Sequence, residues 1–285
     1  MSITFRREPS GGGSRGMADG ADRTAGRVAA ATPAIAFRGV GLTLGGARIY
    51  EGLDFEVAHG EFVCLLGPSG CGKSTALRLI GDLLDGHEGS VTVDGRPPSE
   101  ARDRIAYVFQ SPRLLPWKDA LDNAAFGLEM RRPDVAKADR RAAAARQLER
   151  VGLGADLRKS PAMLSGGEKQ RVAIARALAL DPEIILMDEP FSALDPNTRR
   201  RLRAQIVDLW RESRSTILFV THDIDEALEL ADRIVVLATK PARVRAEIAL
   251  EAPRPRDVDH DDALRAEKRR LLEIFRELGE PTEED

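Results

Sequence analysis

The chain has 285 residues, 42% of them hydrophobic and 31% charged, with a formal net charge of −3. That length holds one large domain or two small ones with ample core, and the near-neutral charge excludes a global pull toward nucleic acid or anionic lipid, so any such contact needs a local patch. Two cysteines, Cys64 and Cys71, exclude a disulfide framework and lack metal-ligand spacing, which points to reduced thiols in a cytoplasmic protein.

No apolar run approaches the ~18 residues needed to span a bilayer. Residues 1–33 are rich in Gly, Ala, Ser and Arg without apolar periodicity and read as a disordered tail, with Met17 as a second candidate start. Arg6-Arg7 is followed by no apolar stretch, so no signal peptide is expected. Ile35-Ala36-Phe37-Arg38-Gly39-Val40 predicts a strand and Gly45-Gly46 a turn. Leu53-Asp54-Phe55-Glu56-Val57 alternates with period two, as a half-buried antiparallel strand does.

Glu61-Phe62-Val63-Cys64-Leu65-Leu66 is nearly continuous apolar sequence and predicts a strand buried on both faces. It runs into Gly67-Pro68-Ser69-Gly70-Cys71-Gly72-Lys73-Ser74, and a helix is expected from Thr75 on, over 75–80. A G-x-x-x-x-G-K-[ST] pattern between strand and helix is a phosphate-cradling loop. Its glycines let main-chain N–H groups converge on phosphates, helped by the helix N-terminus. Lys73 is expected at the β- and γ-phosphates and the Ser74 hydroxyl on Mg²⁺.

From 111 to 180 the pattern is helical with no convincing strand, which predicts a helical subdomain inserted into the α/β core. At its start, Ser111-Pro112-Arg113-Leu114-Leu115-Pro116-Trp117 fits two readings. The apolar residues plug the subdomain core, or they line a groove for a short helix of a membrane subunit, anchored by Trp117. In Leu164-Ser165-Gly166-Gly167-Glu168-Lys169-Gln170, Ser165 and Glu168 form a capping box. A cap does not require the two glycines, which cost conformational entropy. They suit close approach of an anion to the helix N-terminus.

Ile184-Ile185-Leu186-Met187-Asp188-Glu189 puts two carboxylates at the end of a buried strand. Asp188 suits the Mg²⁺ shell and Glu189 a general base toward attacking water. Strands over 216–220 and 234–237, with helices over 196–210 and 223–230, complete a parallel α/β pattern. Arg199-Arg200-Arg201-Leu202-Arg203 reads either as a phosphate-binding run for nucleic acid or as a solvated helix face. After Pro253 and Pro255 comes a charged tail with an amphipathic helix over 263–278. It either packs on the core or serves contacts between copies.

Over residues 35–237 these motifs resemble, in order, those of ATP-binding cassette (ABC) proteins. Leu164 to Gln170 resembles the family's signature motif, Gln110 in Tyr107-Val108-Phe109-Gln110 the Q-loop, Ser192-Ala193-Leu194-Asp195 the D-loop, and His222 the switch histidine. The resemblance implies a P-loop α/β cassette over 34–240, with an N-terminal antiparallel β subdomain and the helical subdomain at 111–180, followed by a C-terminal extension over 241–285. It implies ATP and Mg²⁺ as cofactors and a head-to-tail pair of copies, in which Ser165, Gly166 and Gly167 of one complete the 67–75 site of the other. Gln110 would sense Mg²⁺ and the attacking water, and His222 the γ-phosphate. The family's adenine-stacking aromatic falls here on Leu44, with Tyr50 nearby but out of register; Leu44 is the expected contact. His59, His87 and His260 receive no role.

Gln110, Leu114-Leu115-Pro116-Trp117 and Asp122-Asn123-Ala124-Ala125-Phe126-Gly127-Leu128 resemble importers of the nitrate, sulfonate and taurine group. That implies a permease docking near Leu114, Leu115 and Trp117, an extracytoplasmic binding protein acting indirectly, and a place at the cytoplasmic face of the membrane. The rival is a non-transport ABC ATPase acting on nucleic acid, against which stand the single cassette and the lack of a long coiled-coil insertion. A catalytically idle binding module is disfavoured by intact Lys73, Asp188, Glu189 and His222.

Overall fold

The computed structural model describes residues 32–279; the expected tail, up to residue 31, lies outside the described residues. In chain order the strands are β1 (Ile35–Leu44), β2 (Ala47–Val57), β3 (Phe62–Leu66), β4 (Glu88–Val93), β5 (Ile105–Val108), β6 (Ile184–Asp188), β7 (Thr216–Thr221), β8 (Arg233–Leu237) and β9 (Val244–Ala249). The helices are α1 (Lys73–Ile80), α2 (Ala120–Arg131), α3 (Lys137–Arg150), α4 (Gly166–Leu178), α5 (Pro196–Ser213), α6 (Ile224–Leu230) and α7 (Asp262–Glu277).

Six strands form one sheet in the order β5-β6-β7-β3-β8-β9, parallel except for the antiparallel edge strand β9. Three more form a small antiparallel sheet, β2-β1-β4. Every residue of β3, β6 and β7 is buried, as the near-continuous apolar runs predict for strands covered on both faces. Side chains alternate across the large sheet. Phe62, Cys64 and Leu66 join one core with Met187, Phe219 and residues of α4, α5, α6 and α7. Val63 and Leu65 join a second core with α1 and the small sheet.

No strand interrupts 109–183 among the described residues, and α2, α3 and α4 pack on one another there. Three strands lack a clear sequence signal. In β4 only Val91 and Val93 are buried; β5 has four residues; β9, Val-Arg-Ala-Glu-Ile-Ala, carries two charges and buries only Ile248. Because β9 pairs with β8, the main sheet runs on past residue 240. The C-terminal helix α7 packs on the body of the chain through buried Leu264, Leu271, Ile274 and Phe275, and Lys268 reaches Asp225 at 2.7 Å.

Candidate nucleotide-binding and hydrolysis site

The end of β3 delivers the chain into the glycine loop, and Gly72, at φ 113°, sits as N-cap of α1. A Cβ at Gly72 would stand 2.8 Å from Cε1 of Tyr50, so backbone conformation and space both demand glycine. Tyr50 is fully buried beneath the loop and its hydroxyl donates to the Gly72 carbonyl at 2.5 Å; burial pushes that hydroxyl's pKa far up. Tyr50 therefore shapes the loop from below and offers no free ring face. Leu44, at the end of β1, is 36% exposed.

Lys73 is 6% exposed, and its ammonium donates to the carbonyls of Gly67 (2.5 Å) and Pro68 (2.8 Å). Cys71 is buried, and desolvation raises its thiol, opposed by nearby Lys73. It acts as a small core residue under the loop rather than as a thiolate. The Ser74 hydroxyl donates to Asp188 Oδ1 at 2.7 Å, tying the start of α1 to the end of β6. Burial raises the Asp188 carboxyl, the Ser74 hydrogen bond opposes the rise, and Glu189 adds to it.

A hydroxyl beside a partly desolvated carboxylate is a hard-oxygen set that suits Mg²⁺. Among the described residues no group of three or more His, Cys, Asp or Glu side chains could hold a metal.

Glu189 follows at φ 42°, a left-handed conformation uncommon outside glycine and held here by its N–H on the Val220 carbonyl at 3.0 Å. Its side chain gathers two predicted partners. Gln110 Nε2 donates to Oε2 at 3.1 Å, and His222 Nδ1 stands 3.4 Å from Oε1. Residues 79 positions apart along the chain, Gln110 and Glu189, thus meet where parallel strands β5, β6 and β7 end together.

Ser165 caps α4: its hydroxyl accepts from Glu168 N at 3.2 Å, and Glu168 accepts from Ser165 N at 2.7 Å. A Cβ on Gly167 would meet Leu194 at 3.0 Å, so that glycine has a packing reason within the chain. Gly166 has none, since nothing lies within 4 Å of its would-be Cβ. Ser165 and Gly166 are exposed, and they make no contact with the phosphate loop of the same chain among the interactions described.

Several supporting residues escaped the sequence reading. Thr221 donates to Glu226 at 2.7 Å and accepts from Asp223 N at 3.1 Å, fixing the loop that carries His222. Arg203, only 11% exposed, bridges Glu226 (2.9 Å) and Glu229 (3.0 Å) from α5. Arg199 lies 3.7 Å from Asp223. The arginine run therefore spends two members on acids of α6 and its loop rather than on an open phosphate-binding face. Buried Asn123 organises the loop before α2, accepting from Leu115 N (2.7 Å) and donating to the carbonyls of Leu115, Lys118 and Asp119. Leu114 packs partly on the core, whereas Trp117 is 77% exposed. The tryptophan thus does not plug the subdomain. The signal for Asn123 was its place in the first turn of a helix after a proline-rich loop; the Arg203 pairing carried none.

The family model for the ABC transporter domain matches residues 50–192. An aliphatic sulfonates import ATP-binding protein, SsuB 2, of Burkholderia cenocepacia is 43% identical over 83% of this chain and 87% of its own length. The nitrate import ATP-binding protein NrtD of Synechococcus elongatus is 46% identical over 73% of this chain and 76% of its own. Among solved structures, the dimeric post-hydrolysis state of the ATP-binding cassette MJ0796 bound to ADP and Pi superposes with a TM-score of 0.69 at 34% identity, covering 77% of this chain and all of that one. A chain with a phosphate loop, a strand-end carboxylate pair and a helical insertion on this sheet order belongs to the ABC transporter ATP-binding family. It is an ATPase of the cassette type.

Proposed function

We propose that this chain is the ATP-hydrolysing subunit of an importer for a small anion such as nitrate, a sulfonate or taurine, and that two copies close on ATP to drive a membrane permease. The convergence of Gln110, Glu189 and His222 beside Ser74 and Asp188 carries the hydrolytic half of this proposal. Its relatives' names, with the sulfonate and nitrate import proteins foremost, support the cargo class.

In the proposed reaction the loop 67–75 holds the phosphates through main-chain N–H groups, and Lys73 swings from its carbonyl partners to the β- and γ-oxygens. Mg²⁺, held by Ser74 and Asp188 with Gln110 nearby, would neutralise charge on the phosphates. Glu189 accepts a proton from the attacking water. His222 steadies the γ-phosphate, and Gln110 positions the water. The Ser165, Gly166 and Gly167 main chain of a second copy closes the site from the other side, using the N-terminus of α4 toward the phosphate.

At the adenine end, Leu44 offers an apolar face where the family usually has an aromatic. Leu44→Ala is expected to weaken ATP binding about tenfold, roughly 1.4 kcal/mol, in a fluorescent-nucleotide titration. Tyr50→Phe is expected to lower folding stability by ~0.5–1.5 kcal/mol, the net worth of one hydrogen bond, because the Gly72 carbonyl keeps the Ala76 N–H at 3.0 Å. An unchanged affinity in Leu44→Ala removes that residue from the adenine site.

Among the described residues no helix is long and apolar enough to cross a membrane. The permease contact in this proposal is peripheral, at the cytoplasmic face. Leu114, Leu115 and exposed Trp117 form its core on a loop held rigid by Asn123. An extracytoplasmic binding protein would act through the permease alone. The test is uptake by a host lacking the chromosomal copy, grown on nitrate or an alkanesulfonate as sole nitrogen or sulfur source. Growth is expected to return with the wild-type chain and not with Trp117→Ala, while ATP hydrolysis by the purified variant stays within about twofold. Full growth with Trp117→Ala, or growth on both nutrients without any copy, overturns the docking surface or the cargo class respectively.

A further inference from the structure

A cavity of about 790 Å³ lies between the outer face of α5, α6 and the strap 254–260 that leads into α7. No residue of the nucleotide motifs lines it. Its size falls among small-molecule sites, ~300–1,000 Å³. Helix α5 contributes Arg200, Arg203, Ala204, Val207 and Arg211, spaced to share one helix face; the strap adds Arg254 and Arg256.

Five arginines and five acids line the cavity, but their pairing leaves Arg200 and Arg256 without an acid. Of the acids, Glu229 has Arg203 at 3.0 Å, Asp225 has Lys268 at 2.7 Å, Asp257 has His260 at 2.9 Å and Asp208 has Arg211 at 3.7 Å. Only Asp259 lines the cavity without a cationic side chain on its carboxylate among the described residues. Of the bases, Arg256 meets main-chain carbonyls alone: Ala252 at 2.7 Å, Leu228 and Leu250 at 3.0 Å, and Ala231. Arg200 has no hydrogen bond or ion pair among the described residues.

Arg254 is the most deeply set of the lining arginines. Its side chain is 6% exposed, over the rings of Trp210 (4.5 Å) and Phe62 (5.8 Å). Asp232 lies 2.8 Å from one terminal nitrogen, but without hydrogen-bond geometry, and both that nitrogen and Nε lack an acceptor. Arg203 Nε lacks one too. Burial holds Arg254 below the ordinary guanidinium range and brings Arg256 down to about 10, with Arg254 adding to the fall. Those idle N–H groups are closed off from the cavity, and Asp232 supplies the countercharge of Arg254; Arg256 and Arg200 have no acid, and an oxyanion would supply countercharge and acceptors together. Beside these groups the wall is apolar, formed by buried Val207, Leu230 and Val258.

We propose that this cavity is a binding site for a small organic oxyanion, with Arg256 and Arg200 around its carboxylate, sulfonate or phosphate head and Val207, Leu230 and Val258 around a short alkyl body. It is separate from the nucleotide site and does not depend on the cargo assigned above.

Calorimetric titration of the full chain, with the nucleotide site saturated by ADP, tests this using hexane-1-sulfonate, hexanoate, hexyl phosphate and hexan-1-ol. At least one anion is expected to bind once per chain, at least tenfold tighter than inorganic sulfate, and hexan-1-ol is expected not to bind. The head-group class is read from which anion binds tightest. Arg200→Glu and Ala204→Trp are each expected to weaken binding at least tenfold. Arg200 is unpaired and Ala204 exposed, so thermal melting of both variants should match the wild type. Absence of binding by all three anions, equal binding of hexan-1-ol, or undiminished affinity in either folded variant overturns the site.

Discussion

Glu189→Gln is expected to lower ATP hydrolysis at least ~100-fold, the size of a lost general base, with nucleotide affinity retained. The substitution preserves length and planarity, so the contacts from Gln110 (3.1 Å) and His222 (3.4 Å) have a carboxamide to meet. What it removes is the capacity to take a proton from water. With the chemical step blocked, ATP remains bound and the two-copy form accumulates, visible by size-exclusion chromatography in ATP and absent in ADP. Glu189→Asp separates position from chemistry: a shorter acid can still accept the proton but draws back from Gln110, so partial hydrolysis is expected. Wild-type turnover in Glu189→Gln would move the base elsewhere, with His222 the nearest alternative.

The second large effect belongs to Gly166. In one chain nothing lies within 4 Å of a Cβ there, and the residue is exposed. Gly166→Asp is thus expected to change folding stability by no more than about 0.5 kcal/mol, as at an ordinary surface site. In the proposed pair of copies the same side chain would push a carboxylate against the γ-phosphate of the partner's ATP. Hydrolysis is expected to fall at least ~100-fold, since charge placed against a transferring phosphoryl group acts directly on the transition state. Mixing supplies the sharper readout. Gly166→Asp and Lys73→Met, each inactive alone, leave one intact composite site when paired and should recover hydrolysis on mixing. Activity near wild type in Gly166→Asp alone would mean the site is complete within a single chain.

The motifs of the candidate nucleotide site were legible because each is local. The loop 67–74 announces itself by glycine spacing between a strand and a helix, and Asp188-Glu189 by two acids closing a buried run. The strands that went unread are those whose pairing, not composition, makes them strands. β9 carries Arg245 and Glu247 on an edge, and it is strand only because β8 lies alongside. Tyr50 shows the same limit at the site. Its sequence position lay near the expected adenine contact, Leu44, but out of register; only its neighbours across the fold show it hydrogen-bonded beneath Gly72. The arginine run was ambiguous for a related reason, since the acids that engage Arg199 and Arg203 lie 20 or more positions downstream. Long-range charge pairing leaves no periodicity to read.

Helix α4 is bolted to the chain that precedes α2. Gln170, almost wholly buried, donates to the Phe109 carbonyl at 3.1 Å. Arg176, two turns on, donates to the carbonyls of Pro112 (2.8 Å) and Arg113 (3.0 Å), while the Arg113 guanidinium lies 4.2 Å over the Phe109 ring. Asn123 then locks the next stretch as far as Asp119. The stretch from Phe109 to Trp117 is thereby tied to α4 at Phe109, Pro112 and Arg113 and to α2 at Leu115. A displacement of Gln110 is therefore expected to be felt at Trp117 and at Ser165 together, through the buried amide of Gln170 and the Arg176 guanidinium.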